Sequence, residues 1–70
     1  MTIYEASAAV SILSGIYGDA EVRMSSGATV LSDAERYFVR VYMSDGQTVD
    51  VPTADDAGKM IVNKIQQESV

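Results

Sequence analysis

The side chains that most often start a covalent reaction are missing from this chain or placed where they do other work. Its 70 residues include no cysteine and no histidine. Without histidine, no serine has the base that turns its hydroxyl into a nucleophile, so Ser-His arrangements are excluded. A Ser-Lys pair is formally possible, but Lys59 and Lys64 fall on a predicted helix surface with no serine placed beside them. Asp55-Asp56 is the one adjacent carboxylate pair, and acid–base catalysis is the chemistry such a pair could do. Its position in the first turn of a predicted helix accounts for it, because the helix dipole favours acids there.

Cofactor and metal patterns are absent as well. Gly15, Gly18 and Gly27 do not make a Gly-x-Gly-x-x-Gly set between strand and helix, and Gly58-Lys59 lacks the upstream glycine of a P-loop. A zinc site of the usual kind needs Cys or His. No run of alternating acids precedes a glycine and a distant Glu, so there is no EF-hand loop. The chain is expected not to be an enzyme and to hold no cofactor and no metal.

Charge narrows the partners. Ten acids stand against five bases, a formal net charge of −5. That opposes direct nucleic-acid binding, which needs a basic patch to displace counterions. It also opposes docking on anionic membranes. No apolar run is long enough to cross a bilayer, and Met1-Thr-Ile-Tyr-Glu5 lacks the basic start of a signal peptide. The expected location is the cytoplasm, or a host's cytoplasm if the chain is viral.

Six elements are expected to position whatever acts. Thr2 and Glu5 form a capping box that opens a helix over about 3–16. Ala6, Ala9, Val10 and Leu13 then recur at helical spacing opposite Ser7, Ser11 and Ser14. Either Gly15 or Gly18 ends that helix. Two near-copies follow, nineteen residues apart: Val22-Arg-Met-Ser-Ser-Gly-Ala-Thr-Val30 and Val41-Tyr-Met-Ser-Asp-Gly-Gln-Thr-Val49, identical at six of nine positions. Each reads as a hairpin with a three-residue loop and a left-handed glycine, over about 20–32 and 36–51.

The first register pairs Met24 with Ala28, Arg23 with Thr29 and Val22 with Val30. The second pairs Met43 with Gln47, Val41 with Val49, Arg40 with Asp50 and Val39 with Val51. A two-residue Asp45-Gly46 turn would slip the second hairpin by one and mix buried with solvated side chains. Ser32-Asp-Ala-Glu35 is expected to make a turn between the hairpins. Pro52 closes the last strand, and Thr53 caps a helix over about 54–67. Gly58 inside that helix costs about 1 kcal/mol relative to alanine, and close packing beside Ala57 is the expected reason.

The fold class is therefore α+β: a two-layer sandwich of a four-stranded antiparallel sheet with both terminal helices on one face, all one domain over 1–70. The inner sheet face takes Val22, Met24, Val30, Val39, Val41, Val49 and Val51. The outer face takes Glu21, Arg23, Phe38, Arg40, Tyr42 and Asp50 among others.

Aromatics and arginine on an open sheet suit either single-stranded RNA or a protein hot spot. The net charge favours the protein. In size, acidity and lack of a catalytic set the chain is similar to small phage-encoded inhibitors of host nucleic-acid-handling machines, such as anti-CRISPR proteins. That likeness rests on size and charge, with no shared motif. It implies an inhibitor of such a machine. The residues themselves lead to the expectation of a non-catalytic module that occludes a larger protein with a basic surface, through Asp33, Glu35 and Asp45 together with Phe38, Arg40 and Tyr42. The alternative is a structural module that forms a homodimer or larger oligomer through the outer sheet face or an edge strand, a common remedy for so small a core.

Overall fold

A capping box starts the chain's first helix. In the computed structural model, which describes residues 1–25 and 33–68, Thr2 Oγ1 accepts the Glu5 N–H at 3.2 Å and Glu5 Oε1 accepts the Thr2 N–H at 3.0 Å. The helix α1 (Ile3–Tyr17) ends at Gly18, whose φ of 100° is left-handed and whose N–H reaches the Ser14 carbonyl. Gly15 thus lies inside the helix. Strand β1 (Ala20–Met24), a 3₁₀ turn (Asp33–Glu35), strands β2 (Tyr37–Tyr42) and β3 (Thr48–Val51), and helix α2 (Ala54–Glu68) complete the order. Helix α2 covers the expected range and one residue more. Thr53 Oγ1 caps it by accepting the Asp56 N–H.

Among the described residues the sheet has three strands in the order β1-β2-β3, all antiparallel, and not the four expected. The second hairpin has the predicted register: Val39 opposite Val51, Arg40 opposite Asp50, Val41 opposite Val49. Its loop closes as expected, with Met43 N–H on the Gln47 carbonyl, Gly46 N–H on the Met43 carbonyl and Gly46 at φ 90°. The first half differs. β1 pairs directly with β2, setting Ala20 opposite Val41, Val22 opposite Val39 and Glu21 opposite Arg40.

Physical preference explains the change. β2 offers β1 an apolar match on one face and an opposite charge on the other, and cross-strand pairs are the unit of sheet stability. The strand expected over about 28–32, with the pairings to Ala28, Thr29 and Val30, lies outside the described residues.

Both helices lie on the valine side of the sheet. α1 crosses β1 and β2, while α2 packs chiefly on α1 and meets the sheet at β3. The buried core is Met1, Ala6, Ala9, Leu13, Val39, Val41, Val51 and Ala57. Val22 packs against it half-buried. Met24 and Val49, expected inside, are exposed. Met24 ends its strand, and of β3 only Val51 reaches the core. Gly58 is also not explained by packing within the chain, since a Cβ there would meet nothing within 4 Å.

The amino end is tied into the same core. The Met1 ammonium donates to three backbone carbonyls, Ala34 at 2.6 Å, Tyr37 at 2.8 Å and Pro52 at 3.1 Å. Its own carbonyl accepts the Tyr37 N–H. Among the described residues no helix is long and apolar enough to cross a membrane.

Leu13 is fully buried, and Leu13→Ala is expected to remove about 3 kcal/mol. A domain this size holds only about 3–5 kcal/mol in all. The urea midpoint should fall nearly to zero, whereas Val49→Ala should barely move it.

Candidate protein-binding face

Alternation along β2 sends Val39 and Val41 inward, so Phe38, Arg40 and Tyr42 share the side away from both helices. The three are half-buried. Register then fixes their neighbours. Glu21, Arg40 and Asp50 form one row across all three strands, and Arg23 stands opposite Phe38.

Hydrogen bonds knit the row together. Arg40 Nε donates to Asp50 Oδ1 at 2.9 Å, with a longer Nη2 contact to Oδ2 at 3.4 Å. This is the ion pair expected from the sequence. Its guanidinium also stands 5.6 Å from the Phe38 ring centroid, within cation–π range. Glu21 Oε1 accepts both the Tyr42 hydroxyl and Arg23 Nη1, the latter at 2.9 Å. Two ion pairs, one aromatic ring and one phenol are thereby fixed against each other on a flat support.

The contacts set the proton affinities. The Tyr42 hydroxyl, then Arg23, holds the Glu21 carboxyl below the usual carboxylate range. Arg40 does the same to Asp50, first through its hydrogen bond. The Glu21 carboxylate pushes the Tyr42 phenol up, and Asp50 raises the already high value of Arg40. A carboxylate held this way is a weaker base than usual, so the arrangement suits recognition better than proton transfer.

The face is electrically balanced. It carries Glu21 and Asp50 against Arg23 and Arg40. The other eight acids and three bases therefore account for the entire net charge of −5.

The expected acidic residues do not join it. Asp33 and Glu35 bound the 3₁₀ turn ahead of β2, and Asp45 sits in the loop after it, so they flank opposite ends of that strand. Asp45 Oδ1 accepts the Gln47 N–H at 2.9 Å and so shapes its own turn. Asp19 lies at the Asp45 end, where its carbonyl accepts the Tyr42 N–H. Of the expected site, Phe38, Arg40 and Tyr42 come together, while Glu35 and Asp45 lie at opposite ends of β2.

Glu21, Arg23 and Asp50, which the sequence places on the outer face without choosing them as binding residues, belong to the site. The expected Arg40–Asp50 pairing brings in Asp50, whereas Glu21 and Arg23 arrive through the β1–β2 register, which sequence neighbours do not reveal. Among the described residues no group of three or more acids gathers as a metal site. No protein-family model, curated protein or solved structure matches the chain.

The pH dependence follows from these shifts. Glu21 and Asp50 have lowered values when folded, so they stabilise the fold above the ordinary carboxylate range. That contribution disappears as pH falls through their lowered values. Tyr42 has a raised value, so its contribution is complete below the ordinary phenol range and is lost as pH rises through the raised one. Glu21→Gln should return the Tyr42 titration, followed by ring proton NMR, toward the ordinary value of about 10. An unmoved Tyr42 titration would remove Glu21 as its cause.

Proposed function

We propose that this chain is a non-catalytic protein-binding module that occludes a larger protein with a basic surface, as an inhibitor of a nucleic-acid-handling machine would. The observation that carries the reading is the outer sheet face. Phe38, Arg40 and Tyr42 are the residue types that favour hot spots, and the ion pairs around them hold them in place before any partner arrives.

Two parts of the surface divide the work. Charges outside the face supply the net −5 and steer a basic partner at long range, which raises the association rate. Glu35 and Asp45, at the two ends of β2, are the exposed acids nearest that path. The balanced face then docks with little charge to strip of water, and its aromatics set the rate of release.

Affinity capture on tagged chain at low salt, eluted by a salt gradient, tests this. A large basic protein should elute from the wild type. Reversing Asp33, Glu35 and Asp45 to Lys should slow association about 10-fold at low salt while leaving the fold intact. Phe38→Ser should mainly speed dissociation. Equal capture by the charge-reversed chain would sink the steering role, and equal capture by Phe38→Ser would sink the face. If Phe38 instead joins two copies of this chain, Phe38→Ser halves the mass seen by light scattering.

A further inference from the structure

Two glycines lie inside helices with no reason there that the chain itself supplies. Gly15 belongs to α1 and Gly58 to α2. Neither has a positive φ, which among the described glycines belongs to Gly18 and Gly46. A Cβ at either position would meet nothing within 4 Å. Glycine weakens a helix relative to alanine, so both sites give up stability without any gain in internal packing. What glycine does offer is close approach of another backbone.

Both glycines face the same way. On α1, Ala8, Ile12 and Gly15 follow one another at spacings of four and three. On α2, Ala54, Gly58, Ile61 and Ile65 do the same. Such spacing makes a single stripe on each helix. Between the stripes lies a groove lined by Ala8, Ile12, Ala54, Gly58 and Ile61. Ile12 stands half exposed in it at 49%, and Val62 and Ile65, farther along α2, are exposed at 51% and 55%. This surface is on the opposite side of the molecule from the aromatic face.

We propose that this helical surface is the interface between two copies of the chain, which pair through a layer of four helices. Three observations select a second copy. The first is shape. α1 and α2 run the same way, since Met1 at the start of one donates to Pro52 before the other, and Tyr17 at the end of the first donates to the Met60 carbonyl in the second. Small residues (Ala8, Ala54, Gly58) occupy the groove's amino-terminal half and large ones (Ile12, Ile61) its carboxy-terminal half, with Gly15 beyond Ile12 and outside the groove. A two-fold axis across the helices lays the large end of each copy over the small end of the other, as an isologous interface requires.

The second observation is charge. The stripes carry none, and Glu5 at the groove's end is committed to the α1 cap. Two copies of a −5 chain meet here without opposing their acids. A basic partner would find nothing here to attract it. On the rim Asp55 and Lys59 carry one charge of each sign, as a polar rim around an apolar centre should. The third is size. Among the described residues eight are buried in the core, and pairing stabilises so small a domain by mass action.

Gly58→Ala on the full chain makes a sharp test. Within one copy the new methyl meets open space and improves the helix, so the thermal midpoint at high dilution should rise. Between copies the same methyl blocks the approach. The dimer dissociation constant from sedimentation equilibrium should therefore weaken at least about 10-fold, and Val62→Lys should do likewise. A wild-type chain that stays monomeric at about 1 mM overturns the proposal. So does a dimer that Gly58→Ala leaves intact, or one that Phe38→Ser dissociates.

Discussion

Strand β2 is the piece on which everything else is set. It is the centre of the sheet, and its two-residue period gives the molecule its two sides. Val39 and Val41 lie below, fully buried against Ala6, Ala9 and Leu13. Phe38, Arg40 and Tyr42 lie above, carrying the aromatic and charged face. A one-residue slip would exchange the two sets, so the core and the face are fixed by a single register. Valine pairs to β1 and β3 hold that register from below, and the Glu21–Arg40–Asp50 row holds it from above.

That economy also explains which parts of the fold were legible in advance. The second hairpin could be read because loop chemistry, valine pairing and the Arg40–Asp50 pair all demanded one register. The first could not, because its resemblance to the second suggested a local partner. β1 instead pairs across the connection at 25–36 with the most apolar strand available. The hairpin reading puts Glu21 on the outer face but not opposite Arg40, and so misses the row that its charge beside Tyr42 completes. Helix starts at Thr2 and Thr53 were legible because capping is local. Gly58 was misread for the opposite reason. A helix glycine looks like internal packing until the space around it is known to be open.

The surface separates two tasks that small binding proteins often mix. Attraction at a distance depends on net charge, which here sits on loops, strand ends and helices. Docking depends on what is stripped of water, and the outer sheet face has its charges already paired to one another. A face of that kind keeps its shape with or without a partner, so little is lost in ordering it on contact. The groove between the helices is apolar at its centre, with charge only at its end and rim. Two surfaces so different in character can be occupied at once, because they lie on opposite sides of one thin sheet.

The ammonium of Met1 has a consequence for the order in which this structure forms. Its three carbonyl partners lie 33, 36 and 51 residues away along the chain. Helix α1 can be capped as soon as it exists, but its leading residue has nowhere to bind until β2 and the end of β3 are in place. Contacts of such long range slow folding relative to local ones. Met1 therefore sits beside the helix that is capped earliest and is itself among the last residues to be fixed.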